Sequence, residues 1–159
     1  MNKKPDNLQN LQNTTIDILE NGMMLKIQLG GKSMWPFLRK GDIALVKKNK
    51  ITDLKIGDII AFRTSEKLIA HRLLKINNNE ENYTLLTKGD SLLSKDQPIS
   101  QNDYIGKIVS YKRNKKTVNV ETNNYEKINY IIAKISPYLP IIFIFFRFFW
   151  KIKRLLKLT

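Results

Sequence analysis

The sequence predicts a mainly β protein: a coiled, antiparallel, barrel-like sheet with a short N-terminal helix and a C-terminal apolar helix. Two observations support this prediction. Between residues 23 and 121, short apolar segments recur at short intervals and are separated by Gly-Asp and Asn turns, which is typical of antiparallel β domains. From residue 128 onward the chain becomes strongly apolar instead. We therefore divide it into a tail with a short helix (1–22), a β-rich domain (23–121) and a C-terminal apolar and amphipathic segment (128–159).

The N-terminal region is predicted to be a polar tail followed by the short helix. Its first 13 residues are polar and include Asp6, so they have no apolar h-region and do not resemble a secretory signal. Thr14 or Thr15 can cap a helix that ends at Asn21-Gly22.

The first strand is the clearest single element of the β-rich domain. Leu25, Ile27 and Leu29 alternate with Lys26 and Gln28, the period expected of a half-buried strand. Further strands are predicted at residues 43–46, 59–62, 67–76, 83–87, 105–111 and 117–120, with a hairpin loop at 77–79 and a basic turn at 112–116.

The C-terminal segment is predicted to attach to a membrane. A polar linker (121–127) precedes it, and its longest uncharged run, 135–146, has 12 residues, whereas a membrane span needs about 20. After residue 146, basic side chains fall on one helical arc and apolar ones on the other, as in an interfacial helix on anionic lipid. A helix packed on the domain core and a tilted span with a snorkelling Arg147 are the alternatives. We expect the protein at the cell membrane, and the sequence does not predict which side the active site faces. We also expect truncation after residue 124 to leave a folded, soluble domain.

Composition restricts the partners and cofactors. With 42% hydrophobic and 26% charged residues, the chain is globular. The net charge of +14 favours a polyanionic partner, either anionic lipid or nucleic acid, but no nucleic-acid-binding motif accompanies the charge, so nucleic acid is not predicted as a partner. Absence of cysteine and the single histidine exclude disulfides and argue against a zinc site. No cofactor is predicted.

Two residues suggest nucleophilic catalysis. Ser33 lies in a glycine-led turn, and His71, the single histidine, lies in an alternating apolar stretch. A serine hydroxyl attacks an acyl carbon only when a neighbouring base takes its proton, and imidazole suits that task because its ordinary pKa is near 6.5. A carboxylate that fixes the imidazole tautomer would complete the site, and Asp90 in the turn Lys88-Gly89-Asp90 is one candidate. A turn-capping hydroxyl and a buried neutral imidazole are the structural alternatives.

Several ordered segments together resemble the signal peptidase I family, specifically its archaeal and endoplasmic-reticulum branch. The resemblance covers roughly residues 25–111. The segments that carry it are Gly31-Lys32-Ser33-Met34-Trp35-Pro36-Phe37-Leu38, Leu38 to Val46, Gly57 to Phe62, His71-Arg72-Leu73-Leu74, Thr87-Lys88-Gly89-Asp90 followed by Ser94-Lys95-Asp96, and Tyr104 to Ile108.

The resemblance implies a site and a reaction. Ser33 would be the nucleophile, His71 the general base, and Asp96 the carboxylate nearest to a triad role, with Asp90 as its support or rival. The protein would be a serine endopeptidase that binds precursor polypeptides in extended form and removes their signal or leader peptides, with small residues preceding the cut.

Two positions depart from the family pattern. Residue 31 is Gly31, where many members have a serine whose hydroxyl helps to bind the oxyanion, and Ser91 stands in place of the usual asparagine. Members also generally carry an N-terminal anchor, which the first residues here do not resemble. The alternatives are a repressor-type self-cleaving relative and a catalytically inactive binding or regulatory module.

Overall fold

The computed structural model describes residues 24–79 and 82–156. Within them, eight strands form one antiparallel sheet that curls into a half-barrel. The strand order is β1-β2-β7-β3-β4-β5-β6, and β8 pairs with β7. The strands are β1 (Leu25–Gln28), β2 (Ile43–Lys47), β3 (Ile59–Arg63), β4 (Leu68–Asn79), β5 (Asn82–Lys88), β6 (Ile99–Ser100), β7 (Tyr104–Arg113) and β8 (Lys116–Asn119).

This architecture confirms the predicted mainly β, curled antiparallel fold. The expected hairpin loop at residues 77–79 is wrong, because these asparagines extend β4 and pair with β5, Asn79 opposite Asn82. Strand β6 was not predicted. The predicted N-terminal helix lies outside the described residues.

The sheet carries apolar residues on both faces. Along β3, Ile59 and Ala61 belong to one buried cluster, with Met34 and Leu38, while Ile60 belongs to another. Successive side chains of a strand point to opposite faces, so β3 is apolar throughout and lies between two cores. Strand β3 is therefore held by apolar packing on both faces, and β4 is held beside it by the hydrogen bonds between the two strands.

Two helices follow the sheet, α1 (Asn123–Ile135) and α2 (Leu139–Leu156). The expected linker over residues 121–127 is therefore largely helical. Helix α1 packs on the sheet through Ile132 and Ala133, which are buried. At Gly57, whose φ is +101°, an added Cβ would lie only 2.5 Å from the Asn129 carbonyl carbon, so only glycine permits this approach.

Helix α1 therefore contributes to the packed core of the β-rich region. Truncation after residue 124 would remove these buried side chains, and we expect it to destabilise the protein instead of leaving a soluble, folded domain. The other domain bounds stay predictions.

The junction between the helices is tied to the end of β5. The Lys88 amine is buried and donates to the Ser136 carbonyl at 2.8 Å and to the Ser136 hydroxyl at 3.2 Å. Burial lowers the pKa of Lys88, and the carbonyl at the C-terminal end of α1 compensates by accepting from the amine. The helix junction and the loop that follows β5 are thus held together.

Candidate active site

Ser33 lies in the turn between β1 and β2. Two buried apolar residues of this turn, Met34 and Leu38, join the core, and the Trp35 N–H donates to the Lys32 carbonyl at 3.0 Å. Ser33 itself is half-buried. The turn is therefore fixed by packing on its inner side while its hydroxyl stays accessible.

His71 joins this serine to a carboxylate. Its Nε2 lies 2.9 Å from Ser33 Oγ, and its Nδ1 lies 2.7 Å from Asp96 Oδ2. The ring is buried on β4 and makes a T-shaped contact with the Phe62 ring, the two ring centroids being 6.1 Å apart. A proton on Nδ1 satisfies Asp96 and leaves Nε2 to accept from the Ser33 hydroxyl, which is the tautomer that base catalysis requires.

Thr87 fixes the position of Asp96. Its hydroxyl donates to Asp96 Oδ2 at 2.6 Å, and the Asp96 N–H donates to the Thr87 carbonyl at 2.9 Å. Burial acts to raise the pKa of Asp96, but the hydrogen bonds from His71 and Thr87 outweigh it and hold the pKa below its ordinary value of 3.8. Asp96 is therefore a carboxylate at neutral pH, able to stabilise an imidazolium.

Asp90, the other carboxylate proposed from the sequence, contacts a different residue. Its two oxygens accept from Arg72 Nε and Nη2, each at 2.8 Å, and both side chains are fully buried. Arg72 Nη1 donates further to the Gly57 carbonyl at 2.8 Å and to Asn129 Oδ1 at 2.9 Å. Because Arg72 follows His71 on β4, its side chain lies on the opposite face of the sheet. The structure thus brings Asp96 to the imidazole and Asp90 to the guanidinium.

Sequence reasoning missed three residues around this site. Thr87 and Arg72 both lie in segments that resemble the family, but neither was given a role, and Asn129 lies outside the resemblance. Leu85 and Thr87 are two positions apart on β5 and so share a face, a signal that could have placed the Thr87 side chain on a buried face. No local pattern marks Asn129, because its partner is 57 residues away in sequence.

A groove of about 750 Å³ opens in front of the serine. Strand β1 borders it and pairs only with β2 among the described strands. Residues 68–71 of β4 also border it, and the pairing of β4 with β5 begins only at Arg72, so both strands present a free edge. The lining residues are Ile27, Gln28, Leu29, Gly30, Gly31, Lys32, Ser33, Met34, Leu38, Lys67, Leu68, Ile69, Ala70, His71, Leu92 and Asp96.

A serine, an imidazole and a carboxylate in this order have the connectivity of the serine hydrolases, which perform acyl transfer without a metal or cofactor. The model of the Peptidase S24-like family matches residues 6–109. This chain belongs to the Peptidase S24-like family.

Relatives with assigned names agree with this placement. The chain is similar to proteins named signal peptidase complex catalytic subunit SEC11. It is 29% identical over 90 residues to the one from Fusarium vanettenii, covering 50% of this chain and 52% of the relative. It is 33% identical over 79 residues to the one from Candida dubliniensis, covering 48% and 47%, and 32% identical over 108 residues to the one from Candida tropicalis, covering 61% and 64%.

The resemblance to signal peptidases stated from the sequence is confirmed by these matches. The chain spans between about half and just under two thirds of the length of these relatives.

Proposed function

We propose that the protein is a serine endopeptidase of signal-peptidase type that cleaves signal or leader peptides from precursor proteins. The observation that carries the proposal is the position of His71 between two partners, with 2.9 Å to Ser33 Oγ and 2.7 Å to Asp96 Oδ2. The family and the names of the SEC11 relatives support the same reaction class.

In the proposed mechanism, Ser33 Oγ attacks the scissile carbonyl carbon while His71 Nε2 takes the hydroxyl proton. Asp96 stabilises the imidazolium that forms. His71 then gives the proton to the leaving amine, and the C–N bond breaks to leave an acyl-enzyme on Ser33. A water molecule, deprotonated by His71, hydrolyses the ester and frees the serine.

The substrate is proposed to bind as an extended strand in the groove. The free edge of β1 and the free edge of β4 at residues 68–71 offer unpaired backbone groups on the two sides of the groove, and an added strand satisfies such edges. Apolar side chains such as Leu29 and Leu68 line the groove, which favours an apolar leader. Small residues before the cut are expected from the family resemblance.

The proposal is tested by incubating the full-length protein, in detergent or lipid vesicles, with a precursor whose apolar leader ends in Ala-x-Ala. We expect one cut after this motif, identified by mass spectrometry of the new N-terminus, and no cut with the Ser33→Ala variant. Cleavage that persists with Ser33→Ala would contradict the proposal. Binding without cleavage by the wild-type chain would support the inactive binding module instead.

We further propose that helix α2 attaches the protein to a membrane with anionic lipids. Apolar side chains are exposed along it, including Phe145 at 60% and Phe149 at 69%, and the basic Lys151 and Arg154 are exposed beside them. Such a combination favours the interface of an anionic bilayer. Phe143 of α2 packs on Trp35, with ring centroids 5.4 Å apart, so the helix lies beside the Ser33 turn.

No single helix among the described residues is both long and apolar enough to span a bilayer. Helix α1 and residues 139–146 of α2 are together long and apolar enough for a span, but the two segments meet at a bend of 94°.

We predict that Phe145→Gln/Phe149→Gln abolishes sedimentation with vesicles of mixed anionic and neutral lipid, because it removes apolar surface that the bilayer would bury. Lys151→Glu should weaken binding at low salt, since each basic residue near an anionic surface contributes about 1 kcal/mol. Lys115→Glu, in the exposed β7–β8 turn, is the charge-matched control and should bind almost as the wild type does. Equal binding by all three variants would refute the role of α2.

A further inference from the structure

The loop after β5 holds the backbone of the nucleophile turn through Ser91. The Ser91 N–H donates to the Ser33 carbonyl at 2.8 Å. The Ser91 hydroxyl lies 2.9 Å from the Lys32 carbonyl and 3.0 Å from the Ser33 carbonyl, and it donates its proton between them. One residue thus contacts two successive carbonyl oxygens of the turn from 58 to 59 positions away in sequence.

The approach of the two segments is too close for a side chain at the preceding glycine. A Cβ at Gly89 would lie 2.9 Å from the Ser33 carbonyl oxygen and 2.9 Å from the Leu92 side chain. The buried Arg72–Asp90 pair holds the residue between Gly89 and Ser91. The loop is therefore rigid where it meets the turn, and Ser91 contacts the turn from a fixed position.

These contacts determine where the Ser33 N–H points. The Lys32 carbonyl and the Ser33 N–H belong to the same planar peptide group and point in opposite directions. A hydroxyl that holds the Lys32 oxygen therefore also sets the direction of the Ser33 N–H. Within the described residues this N–H donates to no protein acceptor, so it is available to a substrate oxygen.

An available N–H at the nucleophile is a suitable oxyanion donor. The negative charge of a tetrahedral intermediate develops on the former carbonyl oxygen, and backbone N–H groups that already point at it stabilise it most. Gly31 offers no hydroxyl for this purpose, although a Cβ at that position would lie in ordinary van der Waals contact, 3.8 Å from Ser33 Oγ and 3.9 Å from the Ser33 nitrogen. The orientation of the backbone donor consequently matters more in this chain.

We propose that Ser91 is a positioning residue for the oxyanion site: its hydroxyl orients the Lys32–Ser33 peptide group so that the Ser33 N–H faces the developing oxyanion. This inference rests on the proposed peptidase function. Ser91 makes no contact with His71 or Asp96 among the hydrogen bonds of the described residues, so its effect should concern the tetrahedral state and leave proton transfer unchanged.

The test compares Ser91→Ala, Ser91→Thr and Ser94→Ala in the full-length protein, with a leader peptide ending in Ala-x-Ala as the substrate. We expect Ser91→Ala to lower kcat about tenfold, a fraction of the effect of deleting an oxyanion donor, with KM changed less than about twofold. Ser91→Thr keeps the hydroxyl and should retain wild-type kcat. Ser94 is exposed in the same loop, and its alanine variant should behave as the wild type.

A second measurement separates positioning from a general structural role. A peptide aldehyde of the same sequence forms a tetrahedral adduct with Ser33, whereas a non-cleavable hydroxyethylene analogue has no carbonyl to attack and binds without one. Ser91→Ala should weaken the aldehyde about tenfold, in parallel with kcat, and leave binding of the analogue unchanged.

Several results would overturn the inference. One is an unchanged kcat in Ser91→Ala when wild-type cleavage depends on Ser33. Others are equal weakening of both inhibitors, or failure of Ser91→Thr to restore kcat in a folded protein. Cleavage that does not depend on Ser33 would instead overturn the proposed function itself, so the two failures are distinguishable.

Discussion

Replacement of Ser33 or His71 by alanine is expected to lower kcat for leader cleavage by about 10⁴- to 10⁶-fold. Ser33→Ala removes the attacking oxygen, and His71→Ala leaves the hydroxyl without the base that lies 2.9 Å from it. Members of one catalytic unit are not additive, so the double variant should be no slower than either single variant. The measurement is single-turnover cleavage at saturating enzyme, with the fold of each variant checked by circular dichroism.

Asp96 should be less important than these two residues but still essential for full activity. Asp96→Asn keeps the shape but removes the charge that stabilises the imidazolium and favours the wrong tautomer, with an expected loss of about 10²- to 10⁴-fold in kcat. Because the pKa of Asp96 is lowered, the carboxylate stays ionised until the pH falls below the ordinary pKa of an aspartate. Protonation of Asp96 should therefore not reduce activity near neutral pH.

The assignment of Ser33 as the nucleophile has its own test. Full activity of Ser33→Ala on a verified substrate would eliminate that assignment.

Arg72→Met is expected to lower the free energy of unfolding by about 3–5 kcal/mol, because it leaves the Asp90 carboxylate buried without its partner. The guanidinium is fully buried and donates to Asp90, to the Gly57 carbonyl and to Asn129. Its loss also removes the hydrogen bond to Asn129, one of the contacts between α1 and the sheet. Urea unfolding at constant pH measures the effect.

A double variant and a surface control refine this prediction. Arg72→Met/Asp90→Leu removes both charges and should recover part of the loss, since replacing a buried ion pair with apolar groups is often close to neutral. Glu126→Gln disrupts the exposed pair with Lys55, 2.8 Å apart, and should leave the free energy of unfolding nearly unchanged. Equal effects of Arg72→Met and Glu126→Gln would contradict the structural role assigned to Arg72.

The two aspartates should therefore give different phenotypes. Asp96→Asn is expected to reduce kcat in a protein of near-normal stability. Asp90→Asn is expected to reduce stability, while the molecules that remain folded keep the contact between His71 and Ser33. This difference follows from the opposite faces of β4 on which His71 and Arg72 lie.

The strands were predictable because their apolar residues repeat with a period of two, as Leu25 and Ile27 do. The choice between Asp90 and Asp96 was not predictable from this pattern, because it depends on Arg72. The Arg72 side chain lies on the face of β4 opposite His71, and its charge requires a carboxylate on that face. Position in the chain alone cannot distinguish two carboxylates in the same loop. Ser33 and His71 could be selected because the chain offers one imidazole and a serine within a family-like box.

The contribution of α1 to the core was missed for a related reason. The polar composition of residues 121–127 favours a linker, and propensity gives no sign that Gly57 leaves room for a helix against it. The Asn129 side chain is polar, so its burial could be anticipated only from a buried guanidinium far along the chain. Contacts between distant segments decide both cases.

The free edges of β1 and β4 also make the protein vulnerable to self-association. Unpaired strand edges of this kind pair readily with other exposed strands, including those of a second copy, and natural proteins discourage this with lysine at the edge. Lys26 lies within β1 and Lys67 directly before β4, and both are exposed. Their charges repel an identical edge while still admitting a mostly apolar peptide, so removing them should promote aggregation.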